Sequence, residues 1–457
     1  MNKNVMAVAV AGVFVAPTAF GQAGVPTIAG GPMAGAGAVQ LYGRLSVGYD
    51  NYQAKGASSS PGTPGAPLTD ASFNGRGRVF DNTSRVGVRG TEDLGMGLRT
   101  IFQIESGVNV DSGTTTTQSG AANASAGTWA SRDSFIGLDS NYGRVIFGRY
   151  NLFYTNGKNL EFSANYVNAQ IPWADGTQLG RMALGSAGTN FVARQSNTVS
   201  YQTPFFAGMN FGIAYSPSNQ EAVQGNLGSI TPNGTIWDAQ WIGEWGPIYA
   251  KVDYAQNKGN SDNRTFAFAA NDNQLGAGST VGGNVQAKWQ GLKAGASWAY
   301  LPGARIGLIW MAEKSNNVRG LQTGQTAKQQ AYEVNWEHTF GNVQLMAEYG
   351  QLLELRDCGT YNSSVAPGLF PVVTAANSIA GTVNDCGSGS KATAYMLGAR
   401  YFFSKRTWVY ATFNKTNNNN SQFADYQNAG YSAVNNAVSF PSGADPTIWA
   451  LGILHNF

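Results

Sequence analysis

The C-terminal stretch Thr447-Ile-Trp-Ala-Leu-Gly-Ile-Leu-His-Asn-Phe457 constrains the fold more than any other part of the chain. Counting back in twos from the last residue gives Phe457, His455, Ile453, Leu451 and Trp449, while Asn456, Leu454, Gly452 and Ala450 fall on the other parity. A period of two marks a strand that faces two unlike environments. The apolar face carries an aromatic ring near each end, the pattern of a strand that crosses a bilayer with a ring at each interface. A terminal strand that lives in lipid must pair with another strand, because an open sheet edge leaves backbone groups without partners there. The rest of the chain must then supply a closed set of staves.

It does so at regular intervals. Val39, Leu41, Leu45, Val47 and Tyr49 alternate with Gln40, Tyr42, Arg44, Ser46 and Asp50, and a Gly/Ser/Pro-rich loop then runs to about Arg78. Val86 and Val88 alternate with Arg85 and Arg89, and Phe102 and Ile104 with Arg99, Gln103 and Glu105. Later staves show Met209/Phe211/Ile213/Tyr215, Ile248/Ala250/Val252/Tyr254, Tyr332/Val334/Trp336 and Val343/Leu345/Ala347/Tyr349 on one face. Their other faces carry Lys251, Asp253, Glu333, Glu337, Gln344 and Glu348. Tight-turn signals stand at Asp93–Gly97, Ser140–Gly143, Phe205–Gly208, Glu244–Pro247, Leu301–Ala304, Phe340–Asn342 and Ser404–Arg406. Seven short turns with about eight long connections predict a 16-stranded antiparallel transmembrane β-barrel. Both termini and all short turns lie on one side, the long loops on the other. Composition agrees: glycine is abundant (59 residues), aromatics reach 12%, and charged residues, at 12%, are about half the usual quarter. No uninterrupted apolar run reaches the ~20 residues that a spanning helix needs. A soluble β-sandwich array can mimic the alternation, but it does not explain aromatics at strand ends or so polar an inner face.

The first 21 residues read as a secretory signal: Lys3 is the charged start, Val5 to Phe20 the apolar region, and Ala19-Phe-Gly21 offers small residues for cleavage before Gln22. Residues 22–37 form an uncharged Gly/Ala/Pro-rich leader, so the barrel occupies 38–457. Removing the signal leaves 28 basic against 26 acidic side chains, a near-balance that argues against a nucleic-acid partner. The two cysteines, Cys358 and Cys386, bracket a Gly/Ser/Val-rich stretch; export to an oxidising compartment predicts a disulfide stapling a long loop. No histidine lies near them, so a metal site is not expected, and nothing calls for a cofactor.

A barrel of this size encloses an aqueous lumen, and function then depends on the charges that line it. By parity Arg44, Arg85, Arg89, Arg99 and Arg194 point inward, as does Arg132, which opens a strand to Leu138. Singly, an inward arginine is a solvated wall residue; several on neighbouring strands of a charge-poor chain make a basic wall. Glu105 shares the inner parity and, with Glu161 or Asp175, is expected on the acidic side of the pore. The connection from Asn151 to about Ala193 holds Glu161, Trp173 and Asp175, and loops of this length are often functional. Folded into the lumen it narrows the bore and sets Glu161 or Asp175 across from the arginines. Opposed charges in such a neck favour small polar solutes over apolar ones.

The chain resembles the trimeric general porins of the Gram-negative outer membrane. The resemblance is carried by Leu41-Tyr-Gly-Arg44, Ser84-Arg-Val-Gly-Val-Arg-Gly-Thr-Glu-Asp-Leu-Gly95, Gly97-Leu-Arg-Thr-Ile-Phe-Gln-Ile-Glu-Ser106 and Arg132-Asp-Ser-Phe-Ile-Gly-Leu138. Tyr142-Gly-Arg-Val-Ile-Phe-Gly-Arg149, Ser404-Lys-Arg-Thr407 and Leu454-His-Asn-Phe457 complete it in the same order. It implies a homotrimer in outer-membrane lipid and lipopolysaccharide that passes small hydrophilic solutes and ions. It also implies a basic ladder, onto which Arg44, Arg85, Arg132 and Arg194 map, facing acids on an inward-folded third loop. Leu160-Glu-Phe162 resembles the loop's Pro-Glu-Phe-Gly-Gly segment and nominates Glu161, yet the proline and both glycines are missing, which leaves Asp175 as a rival. Phe457 corresponds to the terminal phenylalanine read by the barrel-assembly machinery.

Passive diffusion with a mild anion preference is the leading reading, and a porin specific for a sugar or an organic anion is the second. A barrel enzyme would need a Ser–His or Asp–His pair, and neither His338 nor His455 sits in such a motif. An adhesin would use its loops, among them the Asn-rich stretch Lys415 to Ser421.

Overall fold

A computed structural model of the chain describes residues 39–56, 73–111, 129–154, 160, 194–217, 235–258, 288–316, 326–357, 388–419 and 443–457. The strands in chain order are β1 (Val39–Lys55), β2 (Phe73–Asp81), β3 (Arg85–Gly95), β4 (Leu98–Gly107), β5 (Ser134–Ser140) and β6 (Gly143–Asn151). They continue as β7 (Arg194–Gln202), β8 (Met209–Ser216), β9 (Thr235–Trp245), β10 (Ile248–Lys258), β11 (Lys288–Leu301) and β12 (Ala304–Asn316). The set ends with β13 (Thr326–Phe340), β14 (Val343–Leu352), β15 (Ala392–Phe402), β16 (Thr407–Asn418) and β17 (Asp445–Asn456).

Every pairing is antiparallel, and β17 pairs with β1 from Arg44↔Asn456 to Lys55↔Asp445, which closes the sheet. The seventeen strands make sixteen staves because β2 and β3 lie end to end against β1. Val39 to Arg44 pair with β3, and Val47 to Ala54 with β2. The joint at Asn82-Thr83-Ser84 is tied back to the neighbouring stave: Ser46 N–H donates to Ser84 Oγ at 2.9 Å, and Asn82 N–H to the Ser46 carbonyl at 2.8 Å. The Gly/Ser/Pro loop expected to reach Arg78 therefore ends by Phe73, where the second stave already begins. All seven tight turns join the strand pairs they were expected to join.

Burial is inverted relative to a soluble protein. Large apolar side chains such as Leu41, Ile136, Leu308 and Leu451 are exposed on the outside. Lys251, Asp253, Lys293, Glu333 and Asp50 are each at most 1% exposed on the inside. Only a barrel with lipid around it and polar groups within makes that arrangement favourable.

Candidate functional site

Two arcs of the inner wall differ in character. On the first, β1 and β3 bring Arg44 and Arg85 directly opposite one another in register. Like charges across a strand pair are unfavourable, so sheet stability alone does not select this arrangement. Glu105 on β4 is paired on both sides: Arg132 Nε donates to it at 2.6 Å, Arg85 Nε faces it as an ion pair at 3.5 Å, and the Tyr42 hydroxyl donates to it at 3.1 Å. Arg132 lies just ahead of β5, and its backbone N–H also bonds the Glu105 carbonyl at 3.0 Å. Arg194, at the start of β7, pairs with Asp133 at 2.8 Å. Arg89 is held by Gln40 Oε1 (2.8 and 3.0 Å) and lies 4.8 Å from the Tyr42 ring centroid.

Further basic groups extend this arc. Arg76 and Arg78 of β2 both pair with Asp50, at 2.6 and 3.3 Å. Arg400 of β15 bonds Gln344 and lies over the rings of Phe402 and Trp408, at 5.1 and 5.7 Å. These three were not among the arginines expected on the basic wall. The period-two signal that finds Arg76 and Arg78 is Arg76/Arg78/Phe80 against Gly75/Gly77/Val79, behind a Gly/Ser/Pro-rich stretch, while Arg400 shares the buried parity of Ala394 and Met396 on β15. Glu105, expected on the acidic side of the pore, stands instead among the arginines. Arg99 has the inner parity but sits at the rim, 55% exposed and paired with Asp139.

The second arc receives the connection that follows β6. Leu152, Phe153, Tyr154 and Leu160 are all buried, in contact with inner-face residues of β8–β15. Register explains the fit. Asp238, Ala255, Gly291 and Glu313 form one row across β9–β12. Tyr154 lies along it: its backbone N–H donates to Asp238 at 2.9 Å, its ring covers Gly291, and its hydroxyl donates to Glu313 at 3.1 Å. Burial, and then the Glu313 carboxylate, push the Tyr154 hydroxyl well above the usual phenol range, so it stays protonated and donating. Lys251 Nζ bonds the Phe153 carbonyl at 2.8 Å and Asp253 at 2.6 Å. The loop's root thus turns into the barrel. Glu161 and Asp175, the two acids nominated on that loop, lie outside the described residues, as do Cys358 and Cys386.

Among the described residues no group of His, Cys, Asp and Glu could hold a metal ion. At the seam, the Phe457 ring lies over Gly43, and the two residues exchange backbone hydrogen bonds of 3.1 Å.

A closed barrel, apolar outside and charged within, with a connecting segment turned into its interior, is a membrane channel of the outer-membrane type. The chain belongs to the Gram-negative porin family, whose sequence profile matches residues 5–421. It is 24% identical to the major outer membrane protein P.IB of Neisseria gonorrhoeae over 383 residues, 83% of this chain and 89% of that one. It is 35% identical to an outer membrane porin protein of Bordetella pertussis over 187 residues, a match that spans 39% of this chain and 42% of that relative. Among solved structures it is similar to an anion-selective porin from Comamonas acidovorans, with a TM-score of 0.61 and 20% identity over 92% of this chain and all of that one. It is also similar to the trimer form of OmpT from Vibrio cholerae, with a TM-score of 0.55 and 13% identity over 93% of this chain and all of that one. The protein is an outer-membrane porin of a Gram-negative bacterium.

Proposed function

We propose that the barrel is a water-filled channel for passive diffusion of small hydrophilic solutes and ions, with a mild preference for anions. The observation that carries this reading is the juxtaposition of Arg44 and Arg85 across β1 and β3, backed by Arg89, Arg132 and Arg194 on the same arc. Five guanidinium groups with Glu105 and Asp133 among them leave a positive excess, and such an excess in a low-dielectric neck raises the local concentration of anions. The Comamonas acidovorans porin, described as anion-selective, supports the sign. Glu161 or Asp175 would supply the opposing charge.

The channel works as a homotrimer, as the trimer form of the Vibrio cholerae relative suggests. It is exported by a signal at residues 1–21, followed by a leader at 22–37, and is stapled outside by Cys358–Cys386. The barrel-assembly machinery reads Phe457, and the protein resides among lipid and lipopolysaccharide. Its action is transport without bond chemistry.

A channel selective for an organic anion is the second reading. It is favoured by Arg400 stacked over Phe402 and Trp408, a basic group beside aromatic surface.

Swelling of proteoliposomes in isosmotic solutes tests both. Passive diffusion predicts rates that fall smoothly with solute size and favour small carboxylates over neutral sugars of equal size. Anion flux that saturates at millimolar concentration would transfer the assignment to the second reading, and no swelling with any solute would overturn both.

A further inference from the structure

Three glycines of the second arc have no conformational reason to be glycine. Gly212 on β8 and Gly291 and Gly295 on β11 have none of the left-handed φ values found at the chain's glycine turns. Each instead lies where an added Cβ would collide with the root of the 151–193 connection. At Gly212 it would stand 2.8 Å from the Phe153 ring and 2.9 Å from the Gln240 side chain of β9, and at Gly291 2.7 Å from the Tyr154 ring. At Gly295 it would meet the Leu308 carbonyl at 2.7 Å and the Leu160 side chain at 2.9 Å. Side-chain Cβ atoms do not approach other heavy atoms so closely; at Gly291 the three nearest atoms all belong to the incoming Tyr154, while at Gly212 and Gly295 the incoming side chain shares the space with the Gln240 side chain and the Leu308 carbonyl.

The polar contacts fall on the same rows. Asp238 and Glu313 hold the two ends of Tyr154, and Lys251, in register with Gly295, holds the Phe153 carbonyl. Apolar contact completes the seat: Leu160 is 0% exposed within a cluster that includes Ile309, Met311 and Ala331.

We propose that Gly212, Gly291 and Gly295 are steric sockets, and Asp238, Lys251 and Glu313 polar clamps, that fix the loop's root to the wall of β8–β12 and thereby set the channel's bore. These are positioning residues. They lie on the arc away from the arginine cluster and act on permeation through the loop they hold. The consequence for permeation rests on the channel reading above; the seat itself does not.

The experiment is a double-mutant cycle between Gly291 and Tyr154, read in two ways. The first readout is modification of a Leu160→Cys reporter by a water-soluble maleimide in the membrane-inserted protein, with Cys358→Ser and Cys386→Ser throughout. Gly291→Ala should raise the labelling rate roughly tenfold or more, because overpacking opens the seat locally. Tyr154→Ala should raise it too. In the Tyr154→Ala background, Gly291→Ala should change nothing further, since the added methyl then enters vacated space. The second readout is single-channel conductance, which should become heterogeneous in Gly291→Ala and gain no extra heterogeneity from it in the Tyr154→Ala background.

Equal labelling in Gly291→Ala and its parent would overturn the proposal. So would an effect of Gly291→Ala of the same size in both backgrounds, the signature of general strand damage. Labelling does not depend on conduction. A protein that shows the labelling cycle but never conducts would therefore remove the channel reading and the link to bore, and leave the seat standing.

Discussion

Arg132 and Arg99 each bind a carboxylate, yet their surroundings give the two bonds different weight. Arg132 and Glu105 are 6% and 7% exposed, whereas Arg99 is 55% exposed at the barrel's rim. Truncating one member of a buried pair leaves a charge without full compensation, at a cost of about 3 kcal/mol, while an exposed pair contributes below about 1 kcal/mol. Arg132→Ala should therefore lower the urea midpoint of the bilayer-inserted protein well beyond Arg99→Ala; equal shifts would refute the inequality. Inward parity was legible in the sequence for Arg44, Arg85, Arg89 and Arg194, because a strand offers a side chain two directions only. Which inward charges meet was not legible. Glu105 and Arg85 share β-strand parity, but their contact depends on the offset between β3 and β4, where Gly87 rather than Arg85 stands opposite Glu105. That offset is set by the pairing of whole strands.

At the scale of elements, the turns and the alternating staves were readable, and β2 was not. Its outward positions Gly75 and Gly77 carry no apolar signal, because the apolar cover comes from β1: a Cβ on Gly77 would stand 1.9 Å from the Tyr49 hydroxyl. A strand whose outer face is covered by its neighbour's ring leaves little trace in its own sequence. The closing seam uses the same device. A Cβ on Gly43 would stand 2.1 Å from the Phe457 ring, so Gly43→Ala must displace the ring that ends the chain. We expect a loss of about 1–3 kcal/mol, seen as a lower temperature at which the compact gel band converts to the unfolded one. An unchanged transition would show that Phe457 has no fixed seat on β1. The third loop was legible as a long connection that folds inward, but its seat on the wall was not. Its entry into the barrel depends on the row Asp238–Ala255–Gly291–Glu313, which four separate strands contribute.

For the whole molecule, the inverted burial makes a prediction about lipid. Leu308 on β12 is 55% exposed on the outer face, and arginine there should cost about 2–4 kcal/mol if the position lies near the bilayer midplane. Insertion and refolding titrations in lipid would show it, and a Leu308→Arg variant as stable as its parent would mean this face does not meet hydrocarbon. The same inversion places the chain's sparse charge inside, so the sign of the permeating ion reports on the inner wall as a whole. The zero-current potential across a planar bilayer under a KCl gradient reads that sign directly. Chloride preference is expected for the unaltered protein, with a shift toward cations in Arg85→Ala, which removes one member of the facing Arg44–Arg85 pair. Cation preference in the unaltered protein, or an Arg85→Ala channel with an unmoved potential, would rule out a basic wall that sets selectivity.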